Sequence, residues 1–172
     1  MITLFQLDKS GGDIFEKDYS IVLVLNQKEV YGVNISQKIK DNLNYEYQKN
    51  SLNIKADSDK KKKNRFRLRF HTAIQIKLLE KAIKDLRYLE DVNIQICNDF
   101  DGHFHEIKDM IYKNICSFIP SLKLENIVST KFQKPSLIDE AGKTFRTKDK
   151  IKLKRYMQIN LNSEELIKLV KK

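Results

Sequence analysis

The order of apolar patterns along the chain predicts an α/β fold: a mixed sheet of about five strands, an antiparallel three-stranded meander followed by alternating helices and strands, with a basic C-terminal extension. Three observations carry this. Strand-like runs rich in aliphatic residues open the sequence in close succession, a four-residue apolar period then marks a long helix, and two further apolar runs each precede a helical pattern. No internal repeat and no Pro/Gly/Ser-rich linker divides the chain. Residues 1–146 therefore read as one domain, and residues 147–172 as an extension packed on it.

"ITLFQLD", Ile2 to Asp8, is apolar on both faces and reads as a buried first strand ending at the aspartate, turned by Gly11 and Gly12. "YSIVLVLN" (Tyr19 to Asn26) and "VYGVNIS" (Val30 to Ser36) are rich in β-branched residues. The short connection "QKE" between them makes an antiparallel hairpin. Residues 37–64 are mixed and polar, with "SLNIKA" a candidate short strand and "DSDKKKKN" a charged, mobile loop. Phe66, Phe70, Ile74, Leu78, Ala82 and Leu86 recur every four residues, with Ala73, Leu79 and Ile83 beside them, and predict an amphipathic helix long enough to cover a sheet. Because "RFRLRF" also alternates with period two, a strand followed by a helix starting near His71 is the competing reading.

"VNIQIC" is the next strand, and Phe104, Ile107, Ile111, Ile115 and Phe118 line a helix that stops before Pro120. "ENIVSTKF" is a further strand. "KPSLIDEAGKTFR" is a helix capped at Ser136, with Leu137, Ile138, Ala141 and Phe145 facing inward. The C-terminus offers a strand-like piece and a final basic helix opened by Asn162 or Ser163.

Charge narrows the partners. Lys+Arg number 33 against 23 Asp+Glu, a net charge of +10 that favours polyanions such as nucleic acid, although lysine-rich solvated helix faces give the same excess. No apolar run approaches the ~20 residues that cross a bilayer, and the N-terminus lacks a basic segment with a cleavage site, so an intracellular, cytoplasmic protein is expected. Two cysteines make no disulfide framework, and Cys97 is expected in the core. Cys97, His103, His105 and Cys116 match no common zinc spacing.

The placement of acids says more than their number. Asp8 closes the first strand, Asp99 and Asp101 close the strand after the long helix, and Asp139 lies in the first turn of the third helix. In an open α/β sheet the carboxyl ends of neighbouring parallel strands share an edge where ligands gather. Each acid also has an ordinary explanation as a turn former or helix cap.

With "LFQLDKSGG", "RFHTAIQIKLLEKAI", "IQICNDFDGH" and "PSLIDEAGKTFR" in this order, the chain over residues 1–146 resembles the ribonuclease H-like superfamily. The family's acid near the start of the first helix is replaced by His71, with Glu80 two turns further on. The resemblance implies a nuclease that hydrolyses phosphodiester bonds in RNA, DNA or a hybrid. Asp8, Asp99 and Asp139 would be its catalytic carboxylates and metal ligands, Asp101 a further ligand and His71 an auxiliary group. The implied cofactor is a pair of Mg²⁺ or Mn²⁺ ions, since hard divalent ions take carboxylate oxygens. Lys60, Lys61, Lys62, Lys63, Arg65, Arg67, Lys152, Lys154 and Arg155, together with Arg69, are candidates for contacts to the nucleic-acid backbone. Phe66 and Phe70, interleaved with them, belong by their helical spacing to the core. The alternative is a non-catalytic nucleic-acid-binding module of the same fold that kept the basic surface and lost turnover.

Overall fold

The computed structural model describes residues 2–15, 18–86, 89, 91–97 and 102–171. Among these, six strands form one mixed sheet in the order β5-β4-β1-β2-β3-β6: β1 (Ile2–Ser10), β2 (Ser20–Leu25), β3 (Glu29–Asn34), β4 (Asp91–Cys97), β5 (Ile127–Thr130) and β6 (Met157–Gln158). The first three pair antiparallel, while β4 lies parallel to β1, β5 to β4 and β6 to β3. The predicted α/β class and antiparallel meander are present, and the C-terminal segment adds a sixth strand to the expected five.

Local chemistry sets the meander. Asn26 and Gln27 both take left-handed backbone angles, φ 50° and 57°, and Lys28 N–H donates to Leu25 O at 3.0 Å, a tight turn between the paired residues Leu25 and Glu29. Asn26 then exchanges two hydrogen bonds with Leu4, its amide donating to Leu4 O and its Oδ1 accepting from Leu4 N–H, each at 2.8 Å. The hairpin tip is thereby tied to the start of β1.

β2 is buried on both faces. Ile21, Leu23 and Leu25 enter the larger core, with α2 (Asp59–Asp85), α3 (Phe104–Ile115) and α6 (Ser163–Lys171). Val22 and Val24 enter a smaller core with Val30, with Ile138, Ala141 and Phe145 of α4 (Leu137–Thr147), and with Leu153 of α5 (Lys150–Leu153). The result is a three-layer α/β/α arrangement.

The polar stretch 37–64 departs from expectation. It holds α1 (Gln37–Gln48), capped by Ser36, whose hydroxyl accepts from Ile39 N–H. Only Lys40 and Leu43 of this helix are buried, so it shows no apolar stripe. "SLNIKA" forms no strand, although Leu52 and Ile54 are buried there. "DSDKKKKN" is not a loop beyond Ser58: it supplies the N-cap and first turns of α2, with Ser58 Oγ accepting from Lys61 N–H. "RFRLRF" is continuous helix, and its arginines fan out to different neighbours. Arg65 Nε meets Glu106 of α3 at 2.9 Å, Arg67 Nη2 meets Asp13 at 2.7 Å, and Arg69 Nη1 donates to Val170 O of α6 at 3.1 Å.

Helix α2 is buried nearly all round from Phe66 to Ile83, because the sheet, α3 and α6 enclose it. Phe66 and Phe70 are core residues, as their spacing predicts. β6 pairs with β3 through Tyr31–Met157 and Gly32–Gln158, and α6 returns across α2, opened by Asn162 accepting from Glu164 N–H at 2.8 Å. Among the described residues, no helix is long and apolar enough to cross a membrane.

Candidate active site

β1, β4 and β5 run parallel, so their carboxyl ends share one edge. Alternation sorts the side chains there. Phe5 and Leu7 of β1 and Ile94 and Ile96 of β4 enter the larger core, which leaves Gln6, Asp8 and Ser10, and Gln95 and Cys97, on the side of α4. Gln6 Nε2 donates to Gln95 Oε1 at 3.0 Å across the two strands. Asp8 lies inside β1 rather than closing it, since the strand runs on to Ser10. Its Oδ1 accepts from Lys9 N–H at 2.8 Å, a bond to the amide of the next residue within the strand.

A close approach brings α4 to the same edge. A Cβ on Gly142 would stand 3.2 Å from Ser10 Cβ, and Ser20 Oγ donates to Gly142 O at 3.3 Å, so the helix sits almost directly on the β1–β2 ladder. Asp139 precedes Gly142 by nearly one turn. Ser136, the predicted cap, accepts from Asp139 N–H and starts the helix there.

Asp8 and Asp139 consequently line one cavity of about 580 Å³. Cys97 lines it too, half-buried on the α4 side of the sheet and outside the apolar core where it was expected. Asp99 and Asp101 lie outside the described residues. Five cationic side chains also line the cavity: Lys9, Lys131, Lys134, Lys143 and Arg146. Lys134 Nζ stands 3.1 Å from Asp139 Oδ1. The hydrogen bond to Asp139 is the main reason the Lys134 ammonium holds its proton more tightly than an ordinary lysine, with Asp8 and Cys97 adding weaker contributions.

His71 is placed elsewhere. It lies deep within α2 rather than at its start, is buried, and does not line the cavity of Asp8 and Asp139. Its Nδ1 is 2.7 Å from the Tyr19 hydroxyl. Burial above all, with the positive charge of Lys9 adding to it, pushes its pKa down to about 3, so the imidazole is neutral at ordinary pH. Glu80 pairs with Lys77 at 2.5 Å on the same helix.

The predicted cations divide into groups. Lys60, Lys61, Lys62 and Lys63 occupy the first turns of α2. Arg65 and Arg67, with Asn64 and His103, line a second cavity of about 370 Å³, and Lys9 lines both cavities and so connects them. Lys152, Lys154 and Arg155 are exposed on and just after α5, and Lys152 Nζ reaches Glu140, the neighbour of Asp139, at 3.1 Å. The sequence reading passed over Lys9, Lys131, Lys134, Lys143 and Arg146. One signal for them was present: Asp139, Lys143 and Arg146 share a helix face by spacing.

Two carboxylates, Asp8 and Asp139, stand on one cavity lined by five cations, and hard divalent ions such as Mg²⁺ or Mn²⁺ take carboxylate oxygens. Among the described residues, no group of three or more His, Cys, Asp and Glu side chains is gathered to hold a metal. No protein-family model, curated protein or solved structure matches the chain, so the site's meaning rests on its own geometry.

Proposed function

We propose that the protein is a divalent-metal-dependent nuclease of ribonuclease H-like type. The observation that carries this reading is the shared cavity: Asp8 on β1 and Asp139 in the first turn of α4, remote in sequence, line one space ringed by five cations. That combination suits a phosphodiester, whose backbone is anionic and whose cleavage needs a hard Lewis acid.

The chain's own residues divide the work. Lys9, Lys131, Lys143 and Arg146 draw a nucleic-acid backbone to the edge by charge, without reading bases. Lys9 continues that surface toward Arg65 and Arg67. Asp8 and Asp139 are the residues to hold Mg²⁺ or Mn²⁺, with Asp99 and Asp101 the candidates to complete the set. The ion, when bound, supplies charge stabilisation at the phosphate and an activated water. The surrounding cations weaken ion binding in the absence of nucleic acid, so a bound backbone and a bound ion favour each other.

Labelled single-stranded, duplex and hybrid substrates incubated with Mn²⁺ or EDTA test this. Cleavage should require Mn²⁺, and Asp8→Asn or Asp139→Asn should lower it about a hundredfold, an effect typical of charge-stabilising groups. Absence of metal-dependent cleavage, or variants as active as the native chain, would overturn the proposal. The second reading, a binding module without turnover, is favoured by the ammonium of Lys134 already resting on Asp139. Binding that falls steeply with salt, without cleavage, would select it.

A further inference from the structure

We infer that Phe132 is a stacking platform for an unpaired nucleobase, so that the cavity of Asp8 and Asp139 takes single-stranded rather than duplex nucleic acid. The inference rests on the reading that this cavity attracts a nucleic-acid backbone, and it needs no ion. Position comes first. The run "ENIVSTKF" reads in sequence as a strand, but β5 ends at Thr130, opposite Cys97 in the last pair of the β4–β5 ladder. Lys131 and Phe132 therefore lie just past the carboxyl end of the strand, on the edge where ligands of open α/β sheets gather. Other aromatic rings are engaged elsewhere: Phe66 and Phe70 are buried in the core, and Phe145 is stacked on Tyr156. Phe132 differs. It is half-buried, packs against the smaller core and lines the cavity, where it is the one aromatic among the described residues.

The lining of the cavity has two chemistries. Phe132 and Ile138, with the bare backbone of Gly142, are apolar, whereas Lys131, Lys143 and Arg146 bring positive charge. A phosphate alone needs only the charge. An apolar surface beside cations suits a nucleotide, whose base has a flat π-face and whose phosphate is anionic. The volume of about 580 Å³ falls within the roughly 300–1,000 Å³ of sites that enclose small organic ligands, so it admits a base together with its sugar and phosphate. A base inside a duplex presents only its edge in the grooves, so stacking on Phe132 requires a strand that is single or locally opened. Every base has a π-face, and the platform is therefore indifferent to sequence.

The chain contains no tryptophan, so Phe132→Trp places a single indole reporter in the cavity. In EDTA, where cleavage plays no part, a single-stranded oligonucleotide should quench its emission, while an abasic strand of the same length or a blunt duplex should bind without quenching. Phe132→Leu keeps apolar packing against the smaller core but lacks the ring. It should weaken single-strand binding, read by anisotropy, about tenfold, within the span of base–aromatic stacking. Its affinity for the abasic strand should equal that of the native chain, a separation that a purely structural role would not produce, and Phe132→Tyr should bind the single strand as the native chain does. Quenching by the abasic strand or the duplex, an indole unchanged by a bound single strand, or equal effects of Phe132→Leu on both strands would overturn the stacking while leaving backbone attraction in place. Absence of salt-dependent binding to any of the three would remove the nucleic-acid reading and the stacking with it.

Discussion

Gly32→Val should destabilise the protein by about 3 kcal/mol and disturb the candidate site with it. Gly32 lies in β3 opposite Val22, and a Cβ there would stand 2.5 Å from two ring carbons of Phe145. Phe145 has nowhere to retreat: it is buried in the smaller core, and its ring stacks on Tyr156 with centroids 6.0 Å apart. A β-branched side chain must therefore push α4 off the sheet. Asp139 rides on the first turn of that helix, so its separation from Asp8 grows as the helix lifts. Thermal unfolding should show a midpoint lowered by roughly 6–12 °C for a chain of this size, with Mn²⁺ binding weakened in parallel. Gly32→Ala should cost less, and Phe145→Leu beside it should recover part of the loss, since the two positions touch. A valine accepted with a change below about 0.5 kcal/mol would show that α4 is not seated through this contact.

His71 should give the protein a pH-dependent stability that one substitution removes. In the unfolded chain a histidine takes up its proton near pH 6.5, whereas the folded chain holds His71 uncharged down to about pH 3, chiefly through burial and also through the charge of Lys9. Between those limits the unfolded state binds more protons, so stability falls as pH falls across the window and levels off below it. The slope from this one group reaches about 1.4 kcal/mol per pH unit. His71→Gln should lower stability near neutral pH by about 1–3 kcal/mol, because the Tyr19 hydroxyl loses a well-placed buried partner at 2.7 Å. The same variant should lose the slope. Urea midpoints measured from about pH 7 to about pH 4 check both parts. Parallel curves for the native chain and the variant would mean that His71 is not held uncharged.

Those two positions also mark where sequence and structure part company. The α/β class, the antiparallel meander and the Ser136 cap could be read directly, because alternation, β-branched runs and capping chemistry are local properties. Asp8 and Asp139 line one cavity, as expected if a late helix packs across the shared edge of the parallel strands. Helix α1 was hidden because it buries only Lys40 and Leu43. The true start of α2 was hidden because its first turns are solvated lysines that carry no apolar period. His71 looked like a residue at a helix entrance, but the sheet, α3 and α6 bury α2 on nearly every side. The cations of the cavity come from β1, from the segment after β5 and from α4, so only the folded chain groups them. The same holds for Gly32, whose missing side chain has meaning only against Phe145.

The central claim is that Asp8 and Asp139 act as one cation site, and a double-mutant cycle on Mn²⁺ affinity, read by direct titration of native, Asp8→Asn, Asp139→Asn and doubly substituted chains, tests it most directly. Either single change should remove most of the binding and the second should add little, since both oxygens would serve the same ion. Independent, fully additive losses, or Mn²⁺ binding untouched by either change, would contradict it.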